Sequence, residues 1–287
     1  MNVWKCGRFA LPLGCKTYVM GIVNATPDSF SGDGRLGDAA IECALQMVQD
    51  GADILDIGGE STRPGADKIP VEEELRRVVP LIEALAARVA VPISVDTSKS
   101  EVAEAALRAG ASIINDISGA TFDAAMLKVL SGSDCGVVLM HLRGTPQTMG
   151  WSQKQVRGAG CEVRDDVIAE IISFWRGRIG AAQNAGIAPQ RIALDAGFGF
   201  GKSVEENLEV LRRGRELADF GFPTLSATSR KSTIGKVLSE DVAENRIWGT
   251  AATVAIAIAN GCDIVRVHDV REMAQVASMT DAVVRGG

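Results

Sequence analysis

Eight short runs of apolar, mostly β-branched residues recur along the chain, and amphipathic stretches separate them. The runs predict strands at Tyr18–Asn24, Asp53–Gly58, Ile93–Thr97, Ser112–Ile117, Gly136–His141, Ile192–Ala196, Thr224–Thr228 and Asp263–His268. Helices are predicted where apolar residues return every three or four positions, as in Ala39–Asp50, Val71–Ala87, Ser100–Arg108 and Val204–Leu217. Regular alternation of strand and helix indicates parallel strands joined by helical crossovers.

Eight strand–helix units are the number that closes a (β/α)8, or TIM, barrel, which typically has about 250 residues in one domain. A doubly wound open sheet would be expected to carry a G-x-G-x-x-G turn after its first strand. Here Asn24-Ala25-Thr26-Pro27 follows that strand instead. We therefore predict an α/β protein in which residues 1–287 form a single (β/α)8 barrel domain, with a long surface loop over Arg143–Ala159.

The charge and the cysteines limit the class of protein. A formal charge of −6 argues against nucleic acid or an anionic membrane as a partner, because neither attracts an acidic surface. The longest apolar stretch, Ala251–Asn260, is about half of the ~20 residues that cross a bilayer. The six cysteines form no C-x-x-C pair, so we expect reduced thiols in a cytoplasmic enzyme.

Nearly every predicted strand ends in a charged or amide residue. Single strand-end aspartates often cap the following helix, but burying an ionised carboxylate costs several kcal/mol unless it is paired. Repetition on adjacent strands therefore suggests a shared ligand, at the barrel face where active sites lie. The residues are Asp56, Asp96, Asn115, Asp116, His141, Asp195, the segment Ser229–Ser232, Arg266 and His268.

The signs of these charges predict two kinds of contact. Asp96 or Asp195 could accept two parallel N–H bonds from the N–C–N edge of a heterocycle. The nearby cations would bind a phosphate or another anion, and they are Arg63, Lys202, Arg230, Lys231, Arg266 and His268. The sequence therefore predicts a site for a nitrogen heterocycle that carries an anionic group.

Two segments after the first and second strands are rich in Gly, Pro, Ser and Thr. They span residues 24–34 and 58–66, and the first contains Phe30. Composition alone leaves two interpretations open, namely connector loops or hinged loops that close over a ligand and exclude water.

Motifs from the first strand to the last resemble those of the dihydropteroate synthase family. The set is specific, although any one tetrapeptide would be weak evidence. The matching segments are Asn24–Phe30, Gly59–Ala66, Asp96–Lys99, Asn115–Ile117, Met140–His141, Asp195–Lys202, Ser229–Ser232 and Arg266–Asp269.

The resemblance implies an enzyme that joins 6-hydroxymethyl-7,8-dihydropterin diphosphate to p-aminobenzoate, giving 7,8-dihydropteroate and pyrophosphate. It implies that sulfonamides mimic p-aminobenzoate and that the protein is a homodimer formed through helices near the C-terminus. It also implies Mg²⁺ as cofactor, with Asn24 as its protein ligand.

The resemblance further implies a role for individual residues. The pterin would be bound by Asp96, Asn115, Asp195, Lys231, Met140 and Phe200. The diphosphate would be bound by Asn24, Arg266 and His268, and p-aminobenzoate by Phe30, Thr62, Arg63, Pro64, Phe200 and Ser232. The residues expected to take part in catalysis are Asn24, Asp33, Lys231, Arg266 and His268.

The sequence departs from the family pattern in four places. Ala25 replaces the usual valine, a minor change. In the first loop Asp33 is shifted by one place, which leaves open whether Asp28 or Asp33 faces the pterin cation. Ala196 stands where the family has proline, and Ala227 stands where it commonly has glycine.

Two other functions share the barrel and the pterin-binding acids. One is a methyltetrahydrofolate:corrinoid methyltransferase, which would not need the two long loops or the Ser229–Ser232 segment. The other is a non-catalytic barrel that binds a pterin, in which the diphosphate-binding residues would have no use. Release of pyrophosphate from the pterin diphosphate separates the synthase from both.

Overall fold

The structure is a computed structural model that describes residues 3–25, 36–61, 66–146, 148–149 and 166–286. Within these ranges no helix is long and apolar enough to cross a membrane. Five cysteines of the described part are free thiols, namely Cys6, Cys15, Cys43, Cys135 and Cys262.

Eight parallel strands of the described chain close into a barrel, as the sequence predicts. In chain order they are β3 (Tyr18–Asn24), β4 (Ile54–Gly58), β5 (Ile93–Asp96), β6 (Ile113–Asp116), β7 (Gly136–Met140), β8 (Ile192–Asp195), β9 (Thr224–Ser226) and β10 (Ile264–Val267). Each strand pairs with the next, and β10 pairs with β3 to complete the ring. The predicted strands are all present, with ends that differ by at most two residues.

Helices connect the strands on the outside of the barrel. The described α-helices are α1 (Leu36–Gln49), α2 (Val71–Ala86), α3 (Ser100–Ala109), α4 (Met126–Ser131), α5 (Val167–Asn184), α6 (Val204–Arg212), α7 (Gly214–Ala218), α8 (Ser232–Leu238), α9 (Ile247–Ala259) and α10 (Val270–Val284). Short 3-10 turns cover Pro189–Arg191 and Ala243–Arg246. The described part of the predicted 143–159 loop contains no helix or strand.

The prediction of one helix over Val204–Leu217 is wrong, because the chain breaks it at Arg213 into α6 and α7. Asn260 Nδ2, 49 residues away in sequence, donates to the Leu211 carbonyl at 2.7 Å. That carbonyl would otherwise accept the next helical hydrogen bond. The break therefore depends on a tertiary contact that local periodicity does not report.

Side chains alternate between the inside of the barrel and the helix layer. Within β4, for example, Ile54 faces inward, whereas Leu55 and Ile57 pack against the helices. The inward-facing apolar side chains form what we call the interior cluster, which includes Tyr18, Met20, Ile54, Ile113, Val138, Ala193, Leu225, Ala227 and Ile264. Because the side-chain period of a strand is two residues, Asp56 faces the inside as Ile54 does. The same parity directs the polar end of each strand toward one opening of the barrel.

A hairpin that the sequence analysis missed fills the opposite end. Strands β1 (Val3–Cys6) and β2 (Phe9–Pro12) pair antiparallel. Trp4 and Cys6 are completely buried in the interior cluster with the first residues of the barrel strands. Trp4 also donates from Nε1 to the Arg191 carbonyl at 2.9 Å. Two strands of four residues are too short for periodicity to separate from a loop.

Trp4→Ala should lower the free energy of unfolding by about 3–5 kcal/mol, because it leaves a cavity among buried apolar side chains. Urea unfolding followed by circular dichroism measures this change. Phe122→Ala is the control, since Phe122 is exposed and should lose less than about 1 kcal/mol. Equal losses in the two variants would contradict a barrel end closed by Trp4.

Candidate active site at the barrel mouth

The strand parity directs six predicted or strand-end residues into the barrel at its C-terminal end. Each shares its strand face with a residue of the interior cluster, or lies on the face opposite to the residues that pack against helices. These six are Asp56, Asp96, Asn115, Met140, Asp195 and Arg266. Asn24 ends β3 on the same face as Met20.

Arg266 holds the acidic side of this mouth together. Its Nε donates to Asp56 Oδ2 at 2.5 Å, and its Nη2 donates to Asp96 Oδ2 at 2.8 Å. Asn115 Nδ2 donates to the same oxygen of Asp56 at 3.1 Å. No described residue forms a hydrogen bond with Nη1 in the structure. The guanidinium is thus fixed by two carboxylates while one nitrogen stays available to a ligand.

Both carboxylates keep a buried oxygen that no described residue satisfies. Asp56 Oδ1 and Asp96 Oδ1 are the two atoms, and Ser94 Oγ, two residues before Asp96 on β5, is a third. Buried polar atoms are normally hydrogen-bonded, so an unsatisfied group here points to a polar ligand. Burial, opposed by Arg266, raises the pKa of Asp96 from 3.8 to about 7.

Asp195 and Lys231 form the second half of the floor. Asp195 Oδ1 accepts from the Gly197 N–H at 2.7 Å. Lys231 donates from Nζ to the Phe198 carbonyl and lies 4.4 Å above the centroid of the Phe200 ring. Burial, opposed by the carboxylate of Asp195, lowers the pKa of Lys231 to about 8.

The remaining predicted residues lie near the ends of β9 and β10. His268 Nδ1 is 3.0 Å from Ser229 Oγ, which also accepts from the His268 backbone N–H. Ser232 is the first residue of α8 and is partly buried. Arg230 pairs with Asp269, so its charge is directed to a neighbouring loop.

Three strand-end residues have local roles. Asp116 accepts from Ser118 and from the Ala120 N–H, which is the ordinary capping role of a strand-end aspartate. His141 is buried beside Phe174 under α5, and burial lowers its pKa to about 3. Lys202 is 2% exposed and donates to backbone carbonyls. The side chains of His141, Lys202 and Arg230 are therefore held by neighbouring groups and do not serve as cations for a ligand in the mouth.

Five predicted site residues lie outside the described residues. They are Phe30 and Asp33 after β3, and Thr62, Arg63 and Pro64 after β4. Most of the predicted p-aminobenzoate site and one predicted catalytic acid therefore stay predictions from the sequence. Among the predicted p-aminobenzoate residues, the structure describes Phe200 and Ser232.

Two of the departures from the family pattern are now located. Ala227 is buried inside the barrel in the cluster that contains Ala193 and Leu225. Ala196 packs on the other side of the wall, in the cluster below the helices. The extra methyl group of Ala227 is therefore accommodated in the barrel interior next to the mouth.

Asp56 is the main site residue to which the sequence analysis gave no role. It was noted only as one of several strand-end acids. The structure shows that it binds both Arg266 and Asn115. The available signal was its inward-facing position on the strand next to that of Asp96, two residues lower, since Asp56 is the register partner of Ser94 and Gly58 that of Asp96.

The donor atoms of the mouth fit a magnesium ion that arrives with an anionic ligand. Asn24 offers one amide oxygen, and the described residues contain no group of three or more His, Cys, Asp or Glu that could hold a metal. Mg²⁺ commonly keeps several waters and binds through one or two protein oxygens plus substrate phosphates. The side chains of the described residues therefore do not fit a metal that is retained by protein ligands alone.

This chain is similar to proteins of known function over almost its whole length. The family model described as pterin binding enzyme matches residues 20–268. The dihydropteroate synthase of Synechocystis sp. is 47% identical over 281 residues, which are 97% of this chain and 94% of that protein. Its length and sequence are therefore similar to this chain from end to end.

Solved structures give the same result. A Clostridium difficile dihydropteroate synthase with pteroic acid has a TM-score of 0.87 and 45% identity, covering 95% of this chain and 98% of its own. The Xanthomonas albilineans enzyme with 4-aminobenzoic acid has 0.88 and 41%, covering 98% of both chains. The Yersinia pestis enzyme in a sulfonamide drug complex has 0.89 and 39%, covering 99% of this chain and all of its own.

Asp96→Asn should change how stability depends on pH. Because the pKa of Asp96 is raised in the folded state to about 7, its contribution to stability is fully present below about pH 4 and is lost as the pH rises through 7. Asparagine does not ionise, so the variant should gain stability relative to the unsubstituted protein between pH 5 and pH 8. Urea unfolding at both pH values measures the difference.

The control for that experiment is Asp219→Asn, at an exposed position. It removes a carboxylate without changing a buried charge, and its stability difference should stay constant between the two pH values. A constant difference for Asp96→Asn as well would contradict a strongly raised pKa at Asp96.

Proposed function

The chain belongs to the pterin-binding enzyme family, and we propose that it catalyses the reaction of a dihydropteroate synthase. It joins 6-hydroxymethyl-7,8-dihydropterin diphosphate to p-aminobenzoate and releases pyrophosphate. One observation carries the proposal: a floor of Asp and Asn side chains for a heterocycle lies beside Arg266 and His268 at one mouth.

Asp195 is the best-placed acceptor for the pterin. Asp96 is already paired with the charged guanidinium of Arg266, whereas Asp195 accepts a hydrogen bond from the backbone N–H of Gly197. A carboxylate can accept two parallel N–H bonds from the N–C–N edge of the ring. Lys231 then donates to a ring acceptor, and Asn115 and Met140 complete the pocket.

Arg266, His268 and Asn24 bind the diphosphate. Arg266 remains fixed by Asp56 and Asp96 while its Nη1 donates to a phosphate oxygen. When bound through Asn24, Mg²⁺ would neutralise charge on the leaving pyrophosphate. Fixed donors of this kind need no reorganisation as the charge develops, and this favours cleavage.

The reaction is dissociative. The bond between the pterin methylene carbon and the diphosphate oxygen breaks first, and its electron pair leaves with pyrophosphate. The positive charge that remains is delocalised into the ring, near the carboxylates of the floor. The neutral amine of p-aminobenzoate then forms the new C–N bond and passes a proton to the released pyrophosphate. Water must be excluded meanwhile, and the predicted loop residues Phe30, Asp33, Thr62, Arg63 and Pro64 are the candidates for this role.

A coupled assay tests the activity. The protein is incubated with the pterin diphosphate and Mg²⁺, with or without p-aminobenzoate, and pyrophosphate and dihydropteroate are measured. Product formation that EDTA abolishes and Mg²⁺ restores is expected. No pyrophosphate release would favour the related methyltransferase or a non-catalytic barrel. Pyrophosphate release that requires p-aminobenzoate would contradict the dissociative order.

The protein is proposed to act in the cytoplasm as a homodimer. Support for the homodimer comes from exposed apolar side chains on α9 and α10, two helices that pack together. Trp248 is 81% exposed, and Met279 and Val283 are 67% and 70% exposed. Exposed apolar surface of this kind marks an interaction site, and a second copy of the same surface would cover it.

Trp248→Glu should shift the protein from dimer to monomer, because it places a charge in the proposed apolar interface. Light scattering after size-exclusion chromatography measures the mass. Phe122→Glu, at an exposed aromatic position between β6 and α4, should stay dimeric. A monomeric unsubstituted protein would refute the dimer without affecting the proposed activity.

Asp195→Asn should lower kcat/KM for the pterin diphosphate by about a hundredfold, since a charged acceptor of two hydrogen bonds becomes a neutral acceptor of one. Asparagine keeps an oxygen for the Gly197 N–H, so the fold should persist. Steady-state kinetics measure the change, with Asp219→Asn as the surface control. An unchanged kcat/KM would remove Asp195 from the pterin site.

A further inference from the structure

The loop after β8 is folded around the side chain of a lysine. Lys202 is 2% exposed. Its Nζ lies 2.9 Å from the Gly197 carbonyl oxygen, 3.4 Å from that of His141 and 3.5 Å from that of Phe200. No described carboxylate pairs with it. Burial, together with the nearby charge of Arg143, lowers the pKa of Lys202 to about 7.

The glycines of this loop make that arrangement possible. Gly197, Gly199 and Gly201 have φ angles of +66°, +83° and +67°. A Cβ at Gly197 would lie 1.8 Å from the His141 carbonyl oxygen, and one at Gly201 would lie 2.5 Å from the Arg143 carbonyl oxygen. Only glycine tolerates both the conformation and the close approach. The backbone can therefore turn its carbonyls toward Nζ.

The same loop presents the contacts that hold Lys231. The Phe198 carbonyl accepts from Lys231 Nζ, and the Phe200 ring lies beneath that ammonium. On the far side, Asn207 accepts from the Gly199 N–H and donates to Thr233 of α8. The loop is thus the element that connects the position of Lys202 to that of Lys231.

We propose that Lys202 is a positioning residue for the pterin site. It fixes the 197–201 loop, and the loop fixes the ammonium of Lys231. This inference rests on the proposed function, in which Lys231 and Phe200 contact the pterin. Lys202 itself is enclosed by backbone and does not reach the ligand.

Lys202→Met tests the proposal, because methionine fills a similar volume and removes the ammonium. Lys236→Met on α8 is the matched control, since Lys236 is exposed. Calorimetry measures the Kd of 6-hydroxymethyl-7,8-dihydropterin and, separately, of inorganic pyrophosphate with Mg²⁺. Thermal unfolding reports whether each variant is folded.

The two ligands separate positioning from other effects. Lys202→Met should raise the Kd of the pterin by about tenfold or more and that of pyrophosphate less than about threefold. A direct effect of charge would weaken pyrophosphate binding more than binding of the neutral pterin. A purely structural role would lower the unfolding temperature and leave both Kd values of the folded variant unchanged. Either of these results would overturn the proposal.

A ligand-free signal keeps the proposal separate from the proposed function. The Phe200 ring current should shift the NMR resonances of the Lys231 ε-methylene in protein labelled with ε-¹³C-lysine. This shift should collapse in Lys202→Met and persist in Lys236→Met. A shift that persists in Lys202→Met would refute the positioning, even if the unsubstituted protein made no dihydropteroate. Lys202→Gln keeps one nitrogen that can donate hydrogen bonds to the carbonyls, so its effects should be smaller. It replaces Lys202→Met if that variant does not fold.

Discussion

The two-residue period of side chains in a closed parallel barrel is the constraint on which the site depends. Since alternate residues face inward, a polar residue near the end of each strand enters the same opening whatever its distance in sequence. Asp56 and Arg266, 210 residues apart, meet there at 2.5 Å. Most of the lower residues on the same strand faces are apolar and pack together inside the barrel. The barrel thus separates a packed end from a polar end within one ring of strands.

At the polar end, the hydrogen bonds of the buried carboxylates are only partly satisfied. Asp56 and Asp96 share one guanidinium, and each retains an oxygen without a partner among the described residues. Such a network costs desolvation energy that its own ion pairs offset only in part. Binding a ligand that carries N–H groups and phosphate satisfies the remaining atoms. Ligand binding therefore offsets part of this desolvation cost, because preorganised groups need little reordering.

The sequence predicted the barrel well because eight β-branched runs and the helices between them are long enough to show their periods. It missed the β1–β2 hairpin, whose strands have four residues each, and the break before α7, which depends on Asn260. The identities of the mouth residues were also predictable, since strand ends are visible in the sequence. Their partners were not. That Arg266 pairs with two aspartates and Lys202 with carbonyls depends on side-chain directions and on contacts over long separations.

The hairpin that carries Trp4 also has a consequence for the order of events. With one end of the barrel sealed by Trp4 and Cys6, molecules that use the floor formed by Asp195 enter and leave through the other end. A ring seated on that floor lies below whatever binds at the rim, so the deeper molecule must arrive first and depart last. Because the barrel is open at one end only, binding and release follow a fixed order. A molecule bound at the rim blocks the exit of the molecule bound beneath it.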